Sequence, residues 1–239
     1  MLDSARLVKR AGRDFWLGRL HGQSVVLALS RSGKVAAATS ATTLIEAFAV
    51  DRIIFTGVAG ALGERVNVGD VVVATRFMQH DMDASPLFPR FEVPLYRQSE
   101  FPCDAALTAL LLDACRTTLG ACAGSPDGAR PQSIAALHQG LIASGDRFVS
   151  TLQASAGLKL ALRSIGLDPL AVEMEGAAVA QVCLDYAVPF AAVRTISDRC
   201  DEDAAVDFQH FVTHVASRYA QGIVDHLMRA LAKQQNLSA

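Results

Sequence analysis

Short apolar runs recur along this chain, and a segment with helical periodicity separates the first two. Residues 24–29 form one run and residues 52–56 (Arg-Ile-Ile-Phe-Thr) form the next, while residues 35–48 between them are rich in Ala and Leu at helical spacing. Further runs follow at residues 71–74 and 190–194. Strands that alternate with helices in this way are typical of a parallel sheet covered by helices. We therefore predict an α/β fold and, because no repeat or linker divides the sequence, a single domain.

Composition excludes several classes of protein. The chain has 239 residues, of which 51% are hydrophobic and 19% charged, and its formal net charge is −2. Such a chain can bury a large core, so neither intrinsic disorder nor nucleic-acid binding through bulk positive charge is expected. Its five cysteines form no Cys-x-x-Cys pair, which argues against a disulfide framework or a zinc ribbon and favours the reducing cytoplasm. We expect neither an export signal nor a membrane span.

Three segments with polar residues follow apolar runs, at the points where a parallel sheet collects its ligands. These are Thr56-Gly-Val-Ala-Gly60, Ser144-Gly-Asp146 and Arg194-Thr-Ile-Ser-Asp198. The carboxyl ends of parallel strands meet along one edge of a sheet, so the three segments can form one pocket. A fourth segment, Val172-Glu-Met-Glu175, brings two carboxylates into an apolar setting, where each must be exposed, paired or bound to a ligand.

Together with Val68-Gly-Asp70 and Phe148, these segments resemble the purine nucleoside phosphorylase/uridine phosphorylase superfamily, and within it the 5′-methylthioadenosine/S-adenosylhomocysteine nucleosidases. The resemblance extends from about residue 13 to residue 233, and the Glu-Met-Glu segment followed by Arg-x-x-Ser-Asp carries it most specifically. It implies a single-domain, three-layer α/β/α fold around a twisted mixed sheet. It also implies an enzyme that needs no cofactor or metal, takes a small nucleoside as its substrate and forms a homodimer, with no nucleic-acid or membrane partner.

The resemblance also assigns roles to residues. Asp198 matches the general acid that protonates N7 of adenine, Ser197 matches the residue that orients this carboxyl, and Arg194 lies where the family helps to hold the attacking water. Glycosidic cleavage needs a proton donor at the base and a carboxylate near the sugar, and Asp198 and Glu175 would supply one each. The substrate-binding set implied is Phe148, which stacks on adenine; Val149, whose backbone reads the base edge; Met174 and Glu175, at the ribose; Phe208, beside the 5′ substituent; and Glu173.

Several residues also have a purely structural interpretation. Glu173 is more simply explained as a surface or dimer-contact acid, and Asp146 as a residue that caps backbone amides. The segment from His80 to Asp83 offers metal-like ligands at a spacing that matches no standard site, which favours a solvated or interface loop. The aromatic side chains of Phe88, Phe91 and Tyr96 can either cover a neighbouring subunit's site or close the local core.

Members of the family normally begin with a strand that leads into a Gly-x-Met-x-x-Glu segment, whose glutamate activates the nucleophilic water. Residues 1–12 contain no apolar strand followed by an acid, and Asp3 is their only carboxylate. We therefore expect an irregular or remnant N-terminus over residues 1–12, the phosphorylase-like domain over residues 13–233 and a disordered tail over residues 234–239. A shortened or misassigned start codon and a natural variant with altered activity both explain the difference. A sheet that lacks a strand would expose an edge prone to aggregation.

Three functions stay open for experiment to separate. The resemblance favours hydrolysis of the N-glycosidic bond of 5′-methylthioadenosine or S-adenosylhomocysteine, which releases adenine. A phosphate-dependent phosphorylase is the first alternative, since Arg31 and Lys34 beside the start of a predicted helix would suit an anion, although both are more simply solvated turn residues. The second alternative is an inactive nucleoside-binding paralogue that has the adenine pocket without an activating base.

Overall fold

The computed structural model describes residues 2–123, 135–211 and 217–238, which together form two sheets and six helices. In chain order the elements are β1 (Asp3–Arg10), β2 (Arg13–Leu20), β3 (Gln23–Ala28), α1 (Lys34–Phe48), β4 (Ile53–Ala61), β5 (Val71–Gln79), β6 (Glu100–Pro102), α2 (Ala105–Ala123), β7 (Leu137–Ser144), α3 (Leu152–Arg163), β8 (Ala171–Glu173), α4 (Gly176–Asp185), β9 (Phe190–Asp198), α5 (Ala204–Phe211) and α6 (Ser217–Ser238). One sheet has the order β1-β2-β3. The other has the order β6-β5-β7-β8-β4-β9, with β5 also paired to β9.

The six-stranded mixed sheet is buried between two helical layers. Along β5, Val71 and Val73 belong to a cluster with residues of α2 and α6, whereas Val72 and Ala74 belong to a cluster with residues of α1 and α4. All nine residues of β9 are buried. Because helices cover both faces, the strands have continuous apolar runs rather than alternating polar residues. The predicted three-layer α/β/α architecture around a mixed sheet is confirmed.

The first three strands form a small antiparallel sheet, so the expectation of an irregular segment over residues 1–12 is wrong. β1 pairs with β2 as far as Arg10↔Arg13, and seven of its eight residues are exposed. Its side chains therefore give no apolar pattern, and the strand forms because its backbone pairs with β2. Two-residue turns at 11–12 and 21–22 close both hairpins, and all four of their residues have positive φ, as type I′ turns require.

A cleft separates the small sheet from the mixed sheet. Within the described chain, β3 pairs only with β2, while β4 pairs with β9 over residues 53–60 and with β8 only at Gly60 and Ala61. One edge of β3 and one edge of β4 over residues 53–59 are therefore unpaired, and both strands border a cavity of about 1110 Å³, which we name the β3–β4 cleft. Apolar residues of α1 and α6 also line this cleft, among them Ala37, Ala41, Leu44, Leu227 and Leu231.

The C-terminal region is helical almost to its end. α6 continues to Ser238, so the expectation of a disordered tail is wrong for residues 234–238, and Ala239 lies outside the described residues. The helix is anchored because Ile223 and Leu227 pack with residues of α2, and the Gln and Leu residues near its end favour continued helix. No described helix combines the length and the apolar character needed to cross a membrane.

The aromatic side chains of the loop after β5 pack against their own chain. Phe91 is buried in a cluster with Met78. Tyr96 lies edge-on to Phe101, with ring centroids 5.7 Å apart, and Phe88 is half-buried. Of the two interpretations offered for this loop, closure of the local core therefore applies to Phe91 and Tyr96.

Candidate active site

The strand ends that were predicted to form one pocket converge at one end of the mixed sheet. In the strand register, Gly60 pairs with Asp198, and Ser144 pairs with Glu173. The side chain of Arg194 on β9 reaches Glu173 on β8. The polar residues that end β7, β8 and β9 therefore meet in one place, beside Gly60 near the end of β4.

Asp198 ends β9 as a buried carboxyl with a donor on each oxygen. The residue is only 2% exposed. The hydroxyl of Ser197 donates to Oδ2 at 2.8 Å, and the backbone N–H of Cys200 donates to Oδ1 at 3.0 Å. Burial raises the pKa of Asp198 above its ordinary value, and the hydrogen bonds from Ser197 and Cys200 oppose part of that rise. This carboxyl therefore holds its proton to higher pH than an exposed aspartate does.

A bulge in β9 places Ser197 beside this carboxyl. The register between β4 and β9 shifts after Ala59↔Ile196, so that Gly60 pairs with Asp198. Ser197 Oγ lies 2.8 Å from Asp198 Oδ2 and 3.3 Å from the backbone oxygen of Ala59. Because a hydroxyl has one hydrogen to donate, Ser197 has two alternative acceptors.

Glu173 and Arg194 form a buried ion pair behind the pocket. Both side chains are at most 2% exposed, and Arg194 Nη2 donates to Glu173 Oε2 at 2.6 Å. Glu173 also accepts from the Ser144 hydroxyl, and the backbone N–H of Gly176 lies 2.9 Å from each of its oxygens. The interpretation of Glu173 as a surface or dimer-contact acid is therefore wrong. A carboxylate removed from water needs charged and hydrogen-bonded partners, and here they lie within the chain.

The guanidinium of Arg194 is almost fully engaged. Nε donates to Glu173 at 3.2 Å, and Nη1 donates to the backbone oxygens of Phe55 and Val193 at 3.3 and 3.1 Å. The central guanidinium carbon lies 4.2 Å from the centroid of the Phe55 ring. With the Nη2 bond to Glu173, four of the five N–H groups have acceptors among the described residues. One N–H group is left for a ligand or a water.

Glu175 stands at the start of α4 and reaches the loop after β3. Its Oε1 accepts from the backbone N–H of Gly33 at 2.8 Å. Burial raises the pKa of Glu175, and the negative charge of Glu173 raises it further. Met174, between the two acids, is half-buried. The two carboxylates thus differ, because Glu173 is saturated by protein donors whereas Glu175 is only half-buried and can accept hydrogen bonds from a ligand.

Hydrogen bonds among Lys34, Asp81 and Asp146 tie the start of α1 to the loops after β5 and β7 at the rim of the site. Lys34 Nζ donates to Asp81 Oδ1 at 2.6 Å and to Gln79 Oε1 at 2.9 Å. The backbone N–H of Asp146 donates to Asp81 Oδ2 at 2.8 Å, and Asp146 Oδ1 accepts from the backbone N–H of Lys34 at 2.7 Å. The capping role predicted for Asp146 is confirmed. Asp81 already balances the charge of Lys34, so Lys34 does not form a free anion site with Arg31.

Phe148 and Phe208 form an aromatic wall at the site. Their ring centroids lie 5.9 Å apart at an interplanar angle of 73°. Val149 is buried, whereas Phe148 is 41% exposed and so has apolar surface that a planar ligand can cover. Among the residues that the structure describes, no three His, Cys, Asp or Glu side chains are grouped so that they could hold a metal ion.

Two partners of the carboxyls, Ser144 and Cys200, have no role assigned from the sequence, although Ser144 lies in a segment predicted to form the pocket. The Ser144 hydroxyl bonds to Glu173, and its oxygen accepts from the backbone N–H of Ala177 at 2.8 Å. The position of Ser144 at a strand end, directly before Gly and Asp, is the signal that could have identified it. Cys200 gives no such signal, because it meets Asp198 through a backbone N–H, a group that nearly every residue has.

A model of the phosphorylase superfamily matches residues 2–229 of the chain. The chain belongs to the phosphorylase superfamily. Because the match begins at residue 2, the superfamily domain includes β1, which the expected domain start at residue 13 left out.

Several relatives of this phosphorylase-superfamily chain are named as nucleosidases. An aminodeoxyfutalosine nucleosidase of Helicobacter pylori is 33% identical over 219 residues, which is 90% of this chain and 86% of that protein. A 5′-methylthioadenosine/S-adenosylhomocysteine nucleosidase of Bacillus cereus is 34% identical over 223 residues, which is 93% of this chain and 89% of that protein. The crystal structure of the nucleosidase of that same name from Neisseria meningitidis, in complex with methylthio-immucillin-A, matches with a TM-score of 0.83 at 35% identity, covering 96% of this chain and 91% of that one. The resemblance inferred from the sequence motifs is confirmed.

Proposed function

We propose that this phosphorylase-superfamily protein is an N-ribosyl hydrolase that releases adenine from 5′-methylthioadenosine or S-adenosylhomocysteine. One observation carries the proposal. Two different carboxyls lie at the same end of the sheet: Asp198 is buried and its pKa is raised, whereas Glu175 is half-buried and can accept hydrogen bonds. Relatives with the same fold bear the name of this activity. The proposed reaction uses side chains of the protein and water, so no cofactor or metal enters it.

Asp198 is the general acid. When the glycosidic bond breaks, its electron pair moves to the purine, and a proton delivered to N7 lets adenine leave as a neutral molecule. While Asp198 Oδ2 carries the proton, the Ser197 hydroxyl donates to the backbone oxygen of Ala59. After the transfer, the hydroxyl donates to Oδ2 and stabilises the carboxylate. Before the transfer the Ser197 oxygen can accept the Oδ2 hydrogen, and after it the hydroxyl donates to Oδ2, so Ser197 orients the carboxyl in both protonation states.

Glu175 and Met174 bind the ribose. The sugar ring gains positive charge as the bond stretches, and a nearby carboxylate that accepts from the ribose hydroxyls stabilises that charge. The N–H of Gly33 fixes one oxygen of Glu175 in place. Glu173 belongs to the site as a positioning residue instead of a substrate ligand, because Arg194 and backbone N–H groups already occupy its oxygens.

The other predicted residues bind the adenine base, the 5′ substituent and the attacking water. Phe148 stacks on adenine through its exposed surface, and the backbone of Val149 reads the base edge. Phe208, in contact with Phe148, borders the 5′ substituent. The one uncommitted N–H group of Arg194 holds the attacking water. The water oxygen bonds to the sugar carbon as the glycosidic bond breaks, and the proton that the water loses passes to solvent, from which Asp198 is reprotonated.

We propose a cytoplasmic homodimer that acts in nucleoside catabolism and methionine salvage. Large apolar side chains on the surface support the proposal, because an interface between two copies would remove them from water. Among them are Leu29 and Val35, each 79% exposed, and Leu160, 73% exposed.

Adenine release from 5′-methylthioadenosine, measured with and without inorganic phosphate, tests the function. We expect phosphate-independent release, since Asp81 neutralises Lys34 and Glu173 neutralises Arg194. Release that requires phosphate and yields a sugar 1-phosphate would identify a phosphorylase. Adenine binding without turnover would identify the inactive paralogue. Parallel assays with S-adenosylhomocysteine and aminodeoxyfutalosine identify the preferred 5′ substituent.

A further inference from the structure

Cys200 lies beside one oxygen of the Asp198 carboxyl. Its backbone N–H donates to Asp198 Oδ1 at 3.0 Å, and its thiol lies beside the same carboxyl, against Gly60. The residue is only 1% exposed. Its φ of +55° is one that non-glycine residues seldom adopt. This backbone conformation turns the chain back toward Asp198, so the backbone N–H and the thiol of Cys200 both lie near the carboxyl.

Gly60 fixes the thiol and the carboxyl against each other. A Cβ atom at position 60 would clash with Cys200 Sγ and would lie 2.7 Å from Asp198 Oδ1. The sulfur and the carboxyl oxygen therefore lie side by side against the backbone of Gly60, and neither can move toward β4. A change in the hydrogen bonding of Cys200 would therefore alter the environment of Oδ1.

The other groups that act on this pair are few. The Ser197 hydroxyl lies at the opposite oxygen, Oδ2. Asp201 raises the pKa of both Asp198 and Cys200, and Lys159 on α3 lowers that of Cys200. Burial, followed by the charge of Asp198, raises the pKa of the Cys200 thiol far above its ordinary value, so the thiol retains its hydrogen as a donor.

We infer that Cys200 is a positioning residue, whose thiol and backbone N–H hold Oδ1 of Asp198 and thereby set how readily this acid gives up its proton. The inference rests on the proposed role of Asp198. A thiol is a weak donor, so it restrains the oxygen while it stabilises the ionised carboxylate only slightly. A hydroxyl in its place would stabilise the carboxylate more, and a methyl group would not stabilise it at all.

The test is the titration of Asp198 in the Cys200→Ser and Cys200→Ala variants. The titration is monitored by infrared difference spectroscopy of the carboxyl band, which Asp198→Asn identifies. We expect the midpoint to fall by about half a pH unit in Cys200→Ser and to rise by about half a unit in Cys200→Ala, as for a modest hydrogen bond gained or lost. The alkaline limb of adenine release should move in the same directions, by about three-fold in rate at a pH above the midpoint. Cys200→Gly, which also relieves the positive φ, should behave like Cys200→Ala.

Cys115 supplies the matched control, since it is a fully buried cysteine of α2 in a different core cluster. Cys115→Ser and Cys115→Ala should leave the Asp198 midpoint unchanged. If Cys200→Ser and Cys200→Ala shift it in the same direction, or neither shifts it, Cys200 only fills space and the inference is overturned. The infrared titration needs no turnover, so a chain that releases no adenine refutes the proposed function and still decides the role of Cys200.

Discussion

The two ends of β4 differ in how many of the polar groups around them have hydrogen-bonding partners. At the site end, Gly60 lies against Asp198, and Glu173 close by has donors on both oxygens. At the other end, residues 53–56 border the β3–β4 cleft with one edge unpaired. A polar site fixed by many short contacts and a strand edge without a partner therefore coexist on one strand. The geometry of the site depends on β7, β8, β9 and α4, and it depends little on the strands of the small sheet.

Asp198→Asn should have the largest effect and sharpen this contrast. General acid catalysis contributes about 10²- to 10⁴-fold, so adenine release should fall by that factor. The fold should survive, because the amide oxygen still accepts from Cys200 N–H and the Ser197 hydroxyl can donate to Ala59 instead. Rates are measured at saturating 5′-methylthioadenosine, with circular dichroism as the check on folding. A variant with the wild-type rate would remove Asp198 from the acid role.

Glu173→Gln should be the most destabilising change at the site. It leaves the charge of Arg194 buried without its partner, which costs about 3–5 kcal/mol in the free energy of unfolding. Urea unfolding of the purified variant measures this loss. Glu64→Gln is the control, because the Glu64–Arg163 pair is exposed to solvent and should contribute little to stability. Equal losses in the two variants would show that the Glu173–Arg194 pair does not organise the site.

The pH dependence of stability tests the environment of Asp198 itself. Its pKa is raised above 3.8 in the folded chain, so the unfolded chain loses this proton first as the pH rises. Wild-type stability from this group is therefore complete below pH 3.8 and is lost as the pH rises toward the folded pKa. Asp198→Asn removes the effect, so its melting temperature relative to wild type should increase between pH 4 and pH 7. A constant difference across that range would show that burial does not raise this pKa.

The smallest effect is expected at the cleft. An unpaired strand edge invites pairing with another chain, so we expect wild-type protein to associate as its concentration rises. Val26→Lys places a charge on β3 where it borders the cleft and should reduce association while it changes stability by only about 0.5 kcal/mol. Leu7→Lys adds the same charge on β1, outside the cleft lining, and should associate like wild type. Light scattering that finds a monodisperse dimer at every concentration contradicts the expected aggregation.

The sequence predicts the buried part of the molecule far better than its edges. Strands such as β5 and β9 are identifiable because burial on both faces produces continuous apolar runs, and the polar residues that follow them mark the site. β1 is not identifiable, because its stability comes from backbone pairing with β2 and its side chains are mostly exposed. Glu173 and Glu175 show the same limit at the site. Their spacing gives two carboxylates, but only the fold shows that one is saturated by Arg194 and Gly176 and the other is open.

The rim contacts of Lys34, Asp81 and Asp146 have a consequence for motion. Because Asp81 accepts hydrogen bonds from both the ammonium of Lys34 and the backbone N–H of Asp146, the start of α1 is cross-linked to the loops after β5 and β7. Opening of the pocket on that side would break a charged hydrogen bond and a backbone hydrogen bond together. On the α5 side of the pocket the corresponding contact is the aromatic one between Phe148 and Phe208, so we expect this side to open more readily.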